Sequence, residues 1–95
     1  MTTEVTDNAA RHRFELDVDG TTAIIAYRRA GAGVLELVHT EVPENLSGQG
    51  VGSRLVKGAL DLIRAEGAKV IPSCSFVAAF IQRHPEYADM VAARG

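Results

Sequence analysis

The hydrophobic period of this chain changes once, at Pro43, and that change constrains the fold more than any other feature. Before it, Phe14, Leu16 and Val18 alternate with Glu15 and Asp17, the period-two pattern of a strand with one buried face. After it, Val51, Leu55, Val56, Ala59, Leu60 and Ile63 recur at helical spacing, with Arg54, Lys57, Asp61 and Arg64 on the other face. A chain of 95 residues is the size of one small domain, so strands and helix must share a single core.

The rest of the pattern can be read outward from that point. Asp19-Gly20 is a two-residue hairpin signal, and a second strand is predicted over residues 22–28. "RAGAG" supplies the next turn, and "VLELVHTEV", residues 34–42, reads as a third strand rich in apolar and β-branched residues. Three successive antiparallel strands make a meander. Pro43 ends it, because proline cannot donate to a ladder, and "ENLSGQG" forms a loop. Gly67 caps the following helix, and "AKVI" before Pro72 is a short fourth strand. A strand reached through a helix pairs in parallel with its predecessor by a right-handed crossover. Phe76, Val77, Phe80 and Ile81 mark a second, shorter helix, and Pro85 opens a last helical segment carrying Tyr87, Met90 and Val91. The expected fold class is α+β: an antiparallel meander plus a β-α-β crossover with a parallel final strand and two to three helices. Residues 12–95 form the one domain, behind a polar, mobile lead-in over residues 1–11.

Charge and composition remove several classes of partner. Lys and Arg total 10 against 12 Asp and Glu, a net charge of −2 with no block of like charges, so the electrostatic footprint of a nucleic-acid partner is missing. No apolar run approaches a membrane span, and "MTTEVTDNAARHRF" lacks the apolar centre of a secretion signal, so the expectation is a cytoplasmic protein. The single cysteine, Cys74, fits a reducing compartment and excludes a cysteine-based metal cage; no metal is expected. Nothing in the pattern points to a particular oligomer.

The loop "LSGQGVGS" carries Gly48, Gly50 and Gly52 at alternate positions ahead of the long helix. Such a loop presents unpaired amides and the positive end of a helix dipole to one point, which suits phosphate. It is not a nucleotide-triphosphate loop, since Gly52 is followed by Ser53-Arg54 with no Lys before Lys57, and the spacing is not that of a dinucleotide fingerprint. On these residues alone, a phosphate cradle and a tight strand-to-helix turn both remain open.

The flanking sequence discriminates. Strand, Pro, short loop, "GQGVGSRLV", amphipathic helix, short strand and second helix together resemble the acetyl-coenzyme-A-binding core of the GNAT superfamily of N-acetyltransferases, over about residues 34–87. "LVHTEVPENLSGQGVGSRLV" followed by "VIPSCSFVAAFIQRHPEY" is similar to a minimal branch of roughly 100-residue single-domain members. The resemblance implies that the amides of Ser47, Gly48, Gln49, Gly50, Val51 and Gly52, with Ser53 beside them, bind the pyrophosphate of coenzyme A. Ser47 stands where the superfamily has Gln or Arg. It also implies that the backbone at Glu41 and Val42 meets the pantetheine arm, that Ser75 at the start of the second helix belongs to the cofactor site, and that Arg83 and His84, in the tail motif Arg83-His84-Pro85, lie near the cofactor, where Arg83 can pair with a phosphate. The ordinary readings are a helix cap for Ser75, a solvated charge for Arg83 and core packing for Phe76 and Tyr87; for the last two, packing is expected.

His39 and Cys74 lie near the carboxyl ends of strands predicted to pair in parallel, where open α/β sheets commonly bind ligands. As isolated residues, a lone Cys in a small core is more often an inert hydrophobe and a lone His structural. The branch's proposed active-site pair falls on His39 and Cys74. In the chemistry implied, His39 takes a proton from an ammonium acceptor, and Cys74 either protonates the departing thiolate or carries the acetyl group; direct transfer with Cys74 as proton donor is the preferred form. The expected function is an acetyl-CoA-dependent N-acetyltransferase acting on an amine. The alternatives are a CoA-binding module with little or no transferase activity and an interaction protein that keeps only the fold. Glu36, Glu41 and Glu44 near the cleft favour a cationic amine.

Overall fold

The computed structural model describes residues 5–92 and contains one five-stranded sheet in the order β1-β2-β3-β4-β5. The strands are β1 (Thr6–Asn8), β2 (Arg13–Val18), β3 (Thr21–Gly31), β4 (Val34–Glu41) and β5 (Lys69–Pro72), and the helices α1 (Val51–Ala65) and α2 (Ser75–Arg83) are followed by a 3-10 segment, Pro85–Met90. β1 to β4 pair antiparallel and β5 joins β4 in parallel. The α+β meander with its parallel final strand is therefore present as the sequence predicts.

Turn chemistry accounts for the connections. Asp19 and Gly20 both adopt positive φ, the requirement of the tight hairpin between β2 and β3. α1 ends where Ala68 N–H donates to Ile63 O and Gly67 N–H to Arg64 O, at 3.1 and 2.9 Å, which satisfies carbonyls the helix leaves free and turns the chain into β5. Pro72 closes β5 opposite Leu37, at the last position where a missing donor is tolerated.

Two expectations need correction. The stretch read as a mobile lead-in, residues 1–11, contains β1 and a 3-10 turn, Ala9–Arg11; residues 1–4 lie outside the described residues. β1 is polar because it is a three-residue edge strand, held by its ladder to β2 and by the Tyr27 hydroxyl, which donates to Asp7 Oδ1 at 2.7 Å. β3 also runs to Gly31, beyond the predicted end at residue 28.

The helices cover one face of the sheet. Phe14, Leu16, Ala23, Ile25, Tyr27, Leu35, Leu37 and Val70 point into the core, where Val51, Leu55, Val56, Ala59, Leu60 and Ile63 of α1 and Val77, Phe80 and Ile81 of α2 meet them. The opposite face, bearing Glu15, Ile24, Ala26, Arg28 and Glu36, is at least partly open. Which face a residue occupies decides what it can do in the site.

Candidate functional site

β4 and β5 pair only from Val34 opposite Lys69 to Leu37 opposite Pro72. The last backbone link between the two segments is the Cys74 N–H donating to Leu37 O at 2.9 Å. Beyond it β4 continues to Glu41 while the other chain turns into α2, so residues 38–41 keep a strand neighbour only on the β3 side. The parallel pair thus opens into a cleft at its carboxyl end.

A bulge sets which side chains enter that cleft. Tyr27 faces Leu37, but Ala26 faces His39, so Val38 is an extra residue in β4 and is 45% exposed. Plain alternation from Leu35 and Leu37 would turn His39 inward; the extra residue turns Thr40 inward instead, opposite Ile25, and leaves His39 on the open face opposite Ala26. The expected pair, His39 and Cys74, therefore flanks one end of the sheet from different faces.

Each has its own partner. Cys74 is 9% exposed and takes the N-cap position of α2, with its Sγ 3.2 Å from Thr40 Oγ1. Burial pushes its thiol up, but the Thr40 hydroxyl and the backbone amides of Val77 and Phe76 outweigh burial and hold it below the ordinary thiol range. His39 Nε2 lies 3.0 Å from Glu41 Oε2, both side chains largely solvated. Thr40 is the neighbour of Cys74 that sequence reasoning missed; its place next to His39 in "VHTEV" was visible, the bulge that turns it inward was not.

The glycine loop lies beside the cleft. Gly48 and Gly50 adopt φ of 78° and 72°, a left-handed conformation, with open space where a side chain would begin. Gly50 is the N-cap of α1 and offers no side chain, the first turn holds no acidic residue, and the first backbone bond of the helix is Arg54 N–H to Gly50 O at 3.1 Å. The amides of Val51, Gly52 and Ser53 are thus left to an outside acceptor. They border a cavity of about 270 Å³ lined by Val42, Leu46, Ser47, Gly48, Gly50, Val51, Gly52, Ser53 and Phe76. The uncapped donors, the open glycines and the absence of a competing carboxylate in the first turn fit a pyrophosphate.

The remaining predicted residues are divided. Val42 lines the cavity; the Glu41 side chain is turned to the open face, while its backbone lies on the stretch of β4 that has no strand neighbour on the β5 side. Gln49 donates from Nε2 to Asn45 O at 3.0 Å, bracing the loop, and Ser75 is exposed in the first turn of α2. His84 stacks on Phe80 with ring centroids 4.0 Å apart, its Nδ1 2.9 Å from Phe80 O, and it lines a second cavity of about 200 Å³ with Ser53, Arg54, Lys57, Phe80, Glu86 and Tyr87. Ser53 borders both cavities. Arg83 is exposed and lines neither of the two. Tyr87 is buried as expected; Phe76 is not, being 40% exposed and forming a wall of the first cavity rather than core. Among the described residues no group of His, Cys, Asp and Glu is arranged to hold a metal, and no helix is long and apolar enough to cross a membrane.

A mixed sheet whose parallel pair splays open beside a glycine-started, uncapped helix defines the GNAT-like fold class. The chain belongs to the GCN5-related N-acetyltransferase family, whose model matches residues 13–90. It is similar to protein NATD1 of Danio rerio, 29% identical over 85 residues that span 85% of this chain and 77% of that protein. NATD1 of Mus musculus is 30% identical over 77 residues, 79% of this chain and 70% of that protein. Among solved structures, a GCN5-like protein of Staphylococcus aureus determined by NMR in solution superimposes with a TM-score of 0.71 at 28% identity, covering 100% of this chain and 94% of the other.

Proposed function

We propose that the protein binds acetyl-CoA with its pyrophosphate on the glycine loop and transfers the acetyl group to an amine. The observation that carries this reading is that the uncapped α1 amides border a cavity walled by Val42, which directly follows the end of β4, and by Phe76, which follows Cys74 and Ser75 in the chain. A pyrophosphate on residues 47–53 leads the pantetheine arm past Val42 toward the thiol of Cys74. The second cavity, with Arg54 and Lys57 at its edge, receives the nucleotide end of the same molecule.

In this reading His39, exposed on the open face and oriented by Glu41, accepts the proton of an ammonium acceptor. The freed amine attacks the acetyl carbonyl, the carbon–sulfur bond breaks, the leaving thiolate takes the proton of Cys74, and the second proton lost by the nitrogen as it becomes an amide restores the Cys74 thiol. A thiol held below its ordinary range is the better acid for that step. A carboxylate beside the base, Glu41, also favours a cationic amine.

Isothermal titration with acetyl-CoA tests the binding half of the proposal. No heat at millimolar ligand sinks it. Release of CoA thiol in the presence of amines, polyamines and lysine peptides tests the transfer half. One observation favours a second reading, a CoA-binding module without transfer: no described element packs over the open sheet face beside His39 to enclose an acceptor. Tight binding with no amine-dependent thiol release selects that module.

A further inference from the structure

We propose that Thr40 is a positioning residue for Cys74, its hydroxyl donating to the sulfur and fixing the thiol toward the cleft where β4 and β5 part. The inference rests on Cys74 acting in the site as proposed above.

Three independent features converge on it. The bulge at Val38 has no role in the core, since Val38 itself is exposed; its effect is to bring Thr40, rather than His39, to the covered face at the level of Ile25. There the hydroxyl oxygen stands 3.2 Å from Sγ. Finally, Cys74 is the N-cap residue of α2, so its sulfur sits by the start of that helix, yet it makes no side-chain cap hydrogen bond, and the Thr40 hydroxyl is its hydrogen-bond partner among the described residues. A thiolate only accepts hydrogen bonds, so a donating hydroxyl favours the ionised form, and the positive end of the helix adds to that preference.

The charged groups nearby do not perform this task. Glu36, His39 and Glu41 of β4 belong to the open face, where Glu36 accepts from Arg28 and from Ser73 while Glu41 pairs with His39. On α2 the charged residue is Arg83, at the far end of the helix from Cys74. Among the leading influences on the thiol, none is a charged side chain. The nearest hydrogen-bonding group to the Cys74 sulfur is thereby a neutral hydroxyl and not a charged side chain.

The chain has one cysteine, so the rate of alkylation by iodoacetamide across pH reports on this thiol alone. In the full chain, Thr40→Val should move the midpoint of the rate profile up by about one unit and slow labelling near neutral pH roughly tenfold, whereas Thr40→Ser should keep the original profile. Should the valine variant not fold, Thr40→Ala supplies the same comparison. A Thr40→Val profile that superimposes on the unmodified protein, or a Thr40→Ser profile displaced as far as the valine one, overturns the proposal. Alkylation needs no acetyl-CoA, so failure of the transferase reading registers separately, as absent binding or thiol release.

Discussion

A Cβ built on Gly52 would stand 2.6 Å from Phe76 Cζ, so the first turns of α1 and α2 touch through an aromatic ring laid on a glycine. That contact holds Phe76 at the cavity wall although the ring is 40% exposed. Gly52→Ala should separate binding from stability. Alanine gains about 1 kcal/mol of helix propensity over glycine, and the exposed ring can swing away without opening the core. The expected result is an unchanged or slightly raised Tm with acetyl-CoA affinity weakened about tenfold by titration. Unaltered affinity would show that Phe76 has no part in holding the cofactor.

Gly50 has a different constraint. Nothing lies within 4 Å of its absent Cβ, so a substitution there is opposed by backbone conformation alone. Gly50→Ala should cost about 1–2 kcal/mol, read in urea denaturation, and Gly50→Asn less, because asparagine tolerates the left-handed region. Equal losses in the two variants would remove the φ of 72° as the cause.

The fold was largely legible in the sequence because its punctuation is chemical: Asp19-Gly20, Pro43, Gly67 and Pro85 all sit at the junctions they signal. Two elements escaped for physical reasons. β1 is polar and only three residues long, and its anchor is tertiary; Gly58, within α1, marks where the chain enters it, since a Cβ there would overlap Val5, the residue just before the strand. The bulge at Val38 is silent because "VLELVHTEV" reads as one strand whether or not a residue is looped out. For that reason the chain positions of His39 and Cys74 were readable, while their separation onto two faces, and the contact of Thr40 with Cys74, were not.

Tyr27 makes the alkaline limb of stability predictable. Its buried phenol, donating to Asp7, is pushed up to about 12. The folded value lies above the unfolded one of about 10, so the folded state retains a proton the unfolded state releases. The stabilisation is fully present below about pH 10 and is lost as pH rises toward about 12. Urea denaturation should show stability falling over that interval, and Tyr27→Phe should flatten the fall while costing about 1 kcal/mol at neutral pH for the lost bond to β1. Some slope should survive, because burial raises Tyr87 as well. An identical alkaline slope in Tyr27→Phe would exclude Tyr27 as its source.

Asp61 governs the acid limb with the opposite sign. Burial pushes its carboxyl up, yet Lys57 Nζ, donating at 3.0 Å, and the Tyr87 hydroxyl, donating at 2.8 Å, overcome that and hold it below its ordinary value. A carboxylate depressed in the folded state contributes stability that is present above its unfolded value, near pH 4, and lost as pH falls through the folded value. Asp61→Asn keeps the shape and removes the titration, so it should be less stable than the parent at pH 7 and converge with it at pH 2 in chemical denaturation. The Arg64 guanidinium, 5.4 Å from the Tyr87 ring centroid and 2.9 Å from Asp89, stays in place in that variant, so the 3-10 segment should remain docked and the difference should report on Asp61 itself. A constant gap between the two proteins from pH 7 to pH 2 would assign the loss to packing instead of to charge.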